Sequence, residues 1–392
     1  MNDKLFANRM GTTHKSFIRE ILRVTENPKT ISFAGGLPNL KFFPVKEITN
    51  ASLKVLEEDG ENVLQYNTTE GYLPLREYIA ERYRTKNGLT VDPDEILITN
   101  GSQQGIDLTG KVFLDKGDQI VIERPGYLGA IQALSMYEPI YQSIPLLGDG
   151  IDTDLLGKTF KGGGIKLFYT VPNFQNPSGI TYSKQKRRDV ADILEKHDAI
   201  LIEDDPYGEL RFIGEDLPSM GTYIKDNIIL LGTFSKIIAP GFRLGWICAK
   251  KDIMEKIIIA KQASDLHSNQ LSQRVIYQYL IDNDIDRHIM RIRAAYKKRR
   301  DLMVSMITEH FPEGIRCTEP EGGMFLWITL PERISSLDLF NLAIQENVAF
   351  VPGNAFYVDG GGNNTLRLNF SNSDETKIEE GIKRLADIIK TL

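Results

Sequence analysis

The chain has 392 residues, 41% of them hydrophobic and 26% charged, with a formal net charge of −6 and a pI near 5.6. That size suits one large domain with a smaller one, or two similar domains, and the acidic balance argues against nucleic acid as the main partner. No stretch approaches the roughly 18 to 20 apolar residues of a membrane helix, the first twenty residues lack the continuous apolar core of a signal peptide, and Cys248 and Cys317 show no CxxC spacing, so a reducing cytoplasm is expected rather than a disulfide framework or a zinc site.

In chain order, a helix is expected in KSFIREILRVT (15–25), within an N-terminal segment of residues 1–45 that docks on a small C-terminal domain. From about residue 95 short apolar runs alternate with amphipathic stretches: EILIT (95–99), QIVIE (119–123), KLFYT (166–170), AILIE (199–203), IILLG (228–232) and LGWICA (244–249). Continuous apolar runs of that length suit strands buried on both faces of a parallel sheet covered by helices. One covering helix is SKQKRRDVADILEKH (183–197), whose leading serine suits an N-cap. The fold class is therefore α/β, with a large domain over residues 46–285 built on a mostly parallel central sheet. After residue 285 a long charged helix (284–311) leads to GMFLWITL (323–330), another helix, TLRLNF (365–370) and a terminal helix. This is expected to be a smaller α+β domain over residues 286–392. The glycine clusters at 162–164 and 360–362 are most simply loops.

Polar residues follow the carboxyl end of nearly every strand: NGSQQG, RPGY, NFQNPSG, DDPY and TFSK. In open parallel sheets that edge is where ligands bind. Lys236, past a buried strand and seven residues before Arg243, reads either as a solvated amine or as a desolvated nucleophile beside an anion site. Thr233 and Ser235 add hydroxyl donors, and Gly101, Ser102 and Gln103 stand where a strand gives way to a helix, a ready anion site. Asp204 either caps the next element or faces a pyridine nitrogen, with Tyr207 three residues on to donate to a ring oxygen. Asn176 before a proline is a turn former or a second such donor. Tyr127 either packs or stacks on a ring, and Arg367 offers a bidentate fork for a carboxylate. GIDLTGKV (105–112) is no P-loop, because Val112 stands where Ser or Thr must bind magnesium. His267, without a second histidine or a carboxylate motif beside it, is expected near a dimer interface rather than as a general base.

Together NPSG, DDPY, TFSK and the trailing arginine resemble the fold-type-I pyridoxal-phosphate enzymes, the class I/II aminotransferases, over nearly the whole chain. FAGGLPN, LQYNTTEGYLPLR, ITNGSQQGIDL, FQNPSG, EDDPYGEL, AKQASDLH, GGMFLW and ENVAFVPG are similar to the subgroup of 2-aminoadipate and kynurenine aminotransferases. The resemblance implies pyridoxal 5'-phosphate as cofactor, with Lys236 forming the internal aldimine and shuttling a proton. It places Asp204 at the pyridine nitrogen, Asn176 and Tyr207 at the phenolic oxygen, and Tyr127 stacked on the ring. Ser102, Gln103, Ser235 and Arg243, assisted by Thr233, would hold the phosphate. Tyr66 would reach the phosphate of a neighbouring subunit, making the active unit a homodimer. Arg367 would bind the substrate α-carboxylate beside Asn176 and the backbone near Gly36.

The implied reaction moves an amino group from an L-amino acid (2-aminoadipate or glutamate, or an aromatic or branched-chain one) to a 2-oxo acid such as 2-oxoglutarate, by a ping-pong route. Arg19 matches a position where an N-terminal arginine meets the distal carboxylate of 2-aminoadipate or glutamate, and a solvated helix arginine is the alternative. The partner-supplied second arginine of the aspartate branch has no counterpart, which speaks against aspartate specificity. A β-lyase or decarboxylase on the same fold is the nearest rival, and a non-catalytic effector-binding regulator a remote one.

Overall fold

The connection after Thr233 decides the topology of the large sheet. A parallel return needs a crossover of a dozen or more residues, usually a helix, and here the chain turns back within residues 234–244. In the computed structural model, which describes residues 5–12 and 27–392, the chain forms strands β1 (Ile31–Ser32), β2 (Ile96–Thr99), β3 (Gln119–Arg124), β4 (Ile140–Leu147), β5 (Gly150–Ile151), β6 (Ile165–Thr170), β7 (Ile200–Asp204) and β8 (Ile228–Thr233). They are followed by β9 (Gly245–Cys248), β10 (Arg316–Cys317), β11 (Phe325–Thr329), β12 (Val348–Ala349), β13 (Val351–Pro352) and β14 (Thr365–Asn369). The helix expected over 15–25, Arg19 included, lies outside the described residues.

The large sheet has the order β2-β9-β8-β7-β6-β3-β4-β5. Strands β3, β4, β6, β7 and β8 run parallel, while β9 is antiparallel to both β2 and β8. The carboxyl ends of β2, β3, β6, β7 and β8 therefore share one edge. Each apolar run in the sequence falls on a strand, and β2, β8 and β9 are buried throughout. Strand β4 has no such signature: it lies near the sheet edge, half exposed, with Gln142, Ser143 and Pro145 in its run.

The helix Ser102–Phe113 packs on β8 and β9 through Gly105, where a Cβ would come within 2.9 Å of Leu231 and 3.2 Å of Ile247. Ser183 caps the helix Lys184–Leu194 by accepting the Lys186 N–H. A second, antiparallel sheet has the order β10-β11-β14-β13. The helices Ile285–His310 and Glu375–Lys390 start on Asp284 and Asp374, each of which accepts an N–H from the first turn. Strand β1 runs parallel to β12, and the Asn369 N–H bonds to the Phe33 carbonyl. That pairing lays residues 33–36 beside β14, and so beside Arg367. Among the described residues no helix is long and apolar enough to cross a membrane.

Candidate active site

A cavity of about 510 Å³ opens at the shared strand edge, within the size range of small-molecule sites. Gly36, Ser102, Gln103, Tyr127, Asn176, Asp204, Tyr207, Thr233, Ser235, Lys236, Arg243 and Arg367 all line it. Tyr66 does not: it is 80% exposed and edge-on to His267, with 5.8 Å between ring centroids.

One corner of the cavity is built for an anion. Gly101 precedes the helix Ser102–Phe113 with φ +78° and no side-chain cap, so the first-turn N–H groups stay available. A Cβ on Gly101 would lie 2.8 Å from Arg243 Nη2, and one on Gly245 would lie 2.6 Å from the Ser102 nitrogen. Two glycines thus allow a guanidinium and a helix terminus to converge. Arg243 itself adopts the left-handed conformation (φ 54°, ψ 43°), which costs an L-residue roughly 1–2 kcal/mol and persists because the surroundings impose it. Thr233 Oγ1 lies 2.9 Å from Ser235 Oγ, donates to the Leu244 carbonyl and accepts the Ser235 N–H. Its hydroxyl shapes the turn, which leaves Ser235 as the better placed of the two for a ligand.

The floor is a buried carboxylate. Asp204 ends β7, and its Oδ2 accepts the Tyr169 hydroxyl at 2.6 Å while Oδ1 has no partner among the described residues. Burial pushes this carboxyl up to about 7, against the pull of the Tyr169 hydrogen bond. Asn176 Nδ2 lies 3.4 Å from the Tyr207 hydroxyl, and Asn176 Oδ1 accepts Arg367 Nη1 at 2.7 Å. Arg367 Nη2 donates to the Ala34 carbonyl at 2.6 Å, Nε has no partner among the described residues, and the guanidinium lies 4.3 Å from the Phe325 ring centroid. Lys236 Nζ donates to the Gly36 carbonyl at 2.9 Å. Burial lowers its amine to about 8, helped by the positive charges of Arg367 and Arg243. Burial pushes the Tyr127 phenol up to about 12. Gly129 makes room for that ring, since a Cβ there would sit 2.5 Å from Tyr127 Cζ.

Three supports escape a reading of the sequence. Tyr169 looks like any core residue of an apolar strand. Glu123, fully buried at the end of a similar run, accepts Thr170 Oγ1, the Val171 N–H, the Tyr182 hydroxyl and Gln175 Nε2 at 2.5–3.1 Å. Gln175 Oε1 in turn accepts the N–H and hydroxyl of Ser178. Glu123 and Gln175 thereby brace the loop that presents Asn176.

Known proteins share this fold. The sequence pattern of the family described as aminotransferase class I and II matches residues 31–385. The chain is 43% identical over 394 residues to the aromatic-amino-acid aminotransferase 1 of Thermococcus litoralis, covering 99% of this chain and 94% of that one. It is 39% identical over 391 residues to the 2-aminoadipate transaminase of Thermus thermophilus, covering 99% and 97%. A crystal structure of Pyrococcus horikoshii kynurenine aminotransferase in complex with PMP superposes with a TM-score of 0.95 at 43% identity, covering 99% of this chain and 98% of that one. The chain belongs to the aminotransferase class I and II family and is a pyridoxal-phosphate-dependent transaminase.

Proposed function

We propose that this transaminase takes its amino group from 2-aminoadipate, glutamate or a large apolar or aromatic L-amino acid and delivers it to a 2-oxo acid such as 2-oxoglutarate. The observation that carries the reading is the unpartnered Asp204 Oδ1 on the floor of a cavity that also holds a depressed lysine amine and an anion corner. Pyridoxal phosphate fits that set, because a protonated pyridine nitrogen is the donor that Oδ1 lacks. When bound, the cofactor supplies an aldehyde for the amine to enter and a ring that accepts the electron pair of a broken Cα bond.

The chain's own groups then have separable tasks. Ser102, Gln103, Ser235, Arg243 and the helix N-terminus would hold the phosphate, with Thr233 holding Ser235 in place. Asp204 would keep a proton on the pyridine nitrogen. Asn176 and Tyr207 would donate to the phenolic oxygen, and Tyr127 would pack against the ring. Arg367, already oriented by Asn176 and the Ala34 carbonyl, grips the substrate α-carboxylate beside the Gly36 backbone. Lys236 Nζ would take the proton from the substrate Cα and pass it to the carbon of the cofactor's aldehyde.

The test is a donor panel (2-aminoadipate, glutamate, kynurenine, leucine, phenylalanine, aspartate) without acceptor, followed by the cofactor's absorbance change. Stoichiometric conversion by acidic and large apolar donors supports the reading, and no conversion by any donor refutes it. Arg19→Ala should lower kcat/KM for acidic donors by about ten- to a hundredfold and for apolar ones by less than about threefold. Equal losses would remove Arg19 from specificity.

We also propose that the active unit is a homodimer in which Tyr66 completes the neighbouring site. Its 80% exposure outside its own cavity, beside Leu64 at 72% and Leu266 at 56%, supports this. Lys236→Ala and Tyr66→Ala subunits, dissociated and mixed, should recover about a quarter of wild-type activity, because half the dimers then hold one complete site. A mixture no more active than its parents would show that Tyr66 does not act across subunits.

A further inference from the structure

A second charged cluster lies beneath the anion corner, and none of its members lines the cavity. Lys261 sits on the helix Lys251–Asp265 with its side chain wholly buried. Its ammonium meets three acceptors: the Asp265 carboxylate at 2.9 and 3.0 Å, Gln104 Oε1 at 3.0 Å and Ser268 Oγ at 3.1 Å. All three N–H bonds are thereby satisfied. Asp265 Oδ2 also accepts Asn100 Nδ2 at 2.7 Å and Gln104 Nε2 at 2.6 Å, and Gln104 Oε1 accepts the Asn100 N–H at 2.8 Å. Both amides of Asn100 are therefore clamped. Asn100 is the residue before Gly101, and its carbonyl faces Arg243 Nη2 at 3.5 Å.

The residue after Asp265 is held just as tightly. Leu266 has φ 64° and ψ −60°, and the His267 N–H closes on the Asp265 carbonyl at 2.8 Å. This tight turn is rare for an L-residue and persists only where the surroundings impose it. A buried ion pair is a poor source of net stability compared with an apolar pair of the same volume. What it can supply is a fixed geometry, and the element fixed here is the turn from β2 into the helix Ser102–Phe113.

We propose that Lys261 and Asp265 are positioning residues for the cofactor phosphate. By clamping Asn100 and Gln104, they hold the first-turn N–H groups of Ser102 and Gln103 at the spacing from Arg243 that a phosphate requires. The proposal rests on the reading of Ser102, Ser235 and Arg243 as the phosphate site.

The experiment compares pyridoxal phosphate with pyridoxal, which lacks the phosphate, binding to the cofactor-stripped full chain. Asp265→Asn and Lys261→Met should each raise the Kd for pyridoxal phosphate by about ten- to a hundredfold, the usual effect of removing a partner that orients a ligating group, and change that for pyridoxal by less than about twofold. Arg243→Ala reports on the underlying reading and should also narrow the gap between the two ligands. If only Arg243→Ala narrows it, the phosphate site stands and the clamp is merely structural. If Arg243→Ala leaves the gap intact, the phosphate-site reading itself fails. Equal weakening of both ligands by the clamp variants would likewise overturn the proposal. Asn100→Ala cuts the clamp on the loop side without stranding a buried charge, so the test survives if Lys261→Met does not fold.

Discussion

Replacing Lys236 with alanine is expected to lower transaminase turnover by about four orders of magnitude or more, while the chain still folds and still binds cofactor. The lysine lies beyond the end of β8, within the connection to β9, so its side chain carries no part of the sheet. Its hydrogen bond to the Gly36 carbonyl is set against the cost of burying an amine between Arg367 and Arg243. Removing a charge held in so unfavourable a place should offset the lost hydrogen bond, so the variant should be at least about as stable as the wild-type chain near neutral pH. The environment has a measurable consequence. With its pKa at about 8, roughly a quarter of the amine is neutral at pH 7.5, against about one part in a thousand for an ordinary lysine. The neutral form is the nucleophile, so cofactor reloading should speed up with rising pH and level off above about 8. A midpoint near 10.5 would show that the neighbouring charges and burial do not act on the amine. A Lys236→Ala variant that kept more than about one per cent of turnover would take the lysine out of the reaction.

What could be read from the sequence, and what could not, divides along a physical line. Strands β2, β7, β8 and β9 are buried on both faces and announce themselves as apolar runs. Strand β4, near the edge, has no such requirement and carries polar residues. The groups that line the cavity follow the strand ends, so topology alone gathers Ser102, Tyr127, Asn176, Asp204 and Lys236. Their supports are different. Tyr169 serves Asp204 from within a strand where a phenol and a core ring look alike. Glu123, Lys261 and Asp265 are charged residues of a kind normally solvated, and only the tertiary structure reveals that Glu123 and Lys261 are buried, Asp265 half-buried, and all three hydrogen-bonded. Burial of a charge is a property of what packs over it, not of the residues beside it in the chain. The proposed role of Tyr66 meets the same limit at the next level, because it would depend on a second copy.

Asp204→Asn should separate activity from stability and move them in opposite directions. The amide keeps the shape and can still accept the Tyr169 hydroxyl, but it cannot hold a positive charge on the pyridine nitrogen. Turnover with saturating cofactor should therefore fall by about a hundred- to a thousandfold, the scale of losing one preorganised electrostatic contact. Stability of the cofactor-stripped chain should change the other way. The folded carboxyl titrates at about 7, well above its ordinary 3.8, because burial disfavours the ionised form. The folded state is therefore penalised once the unfolded carboxyl ionises, and the penalty grows between about pH 4 and pH 7 and is constant above that. The asparagine variant escapes it, so its advantage over wild type should be absent near pH 4 and reach up to about 4 kcal/mol by pH 8. Denaturant midpoints measured at both pH values, with m unchanged, would show this directly. An advantage that was equal at the two pH values, or a variant less stable at pH 8, would mean that the carboxylate is well solvated or paired in the folded chain. A residue whose removal stabilises the fold and disables the reaction is held in place for its chemistry. Tyr169→Phe supplies the intermediate case: Asp204 loses its one protein donor, so the carboxyl should titrate still higher and turnover should fall by about tenfold.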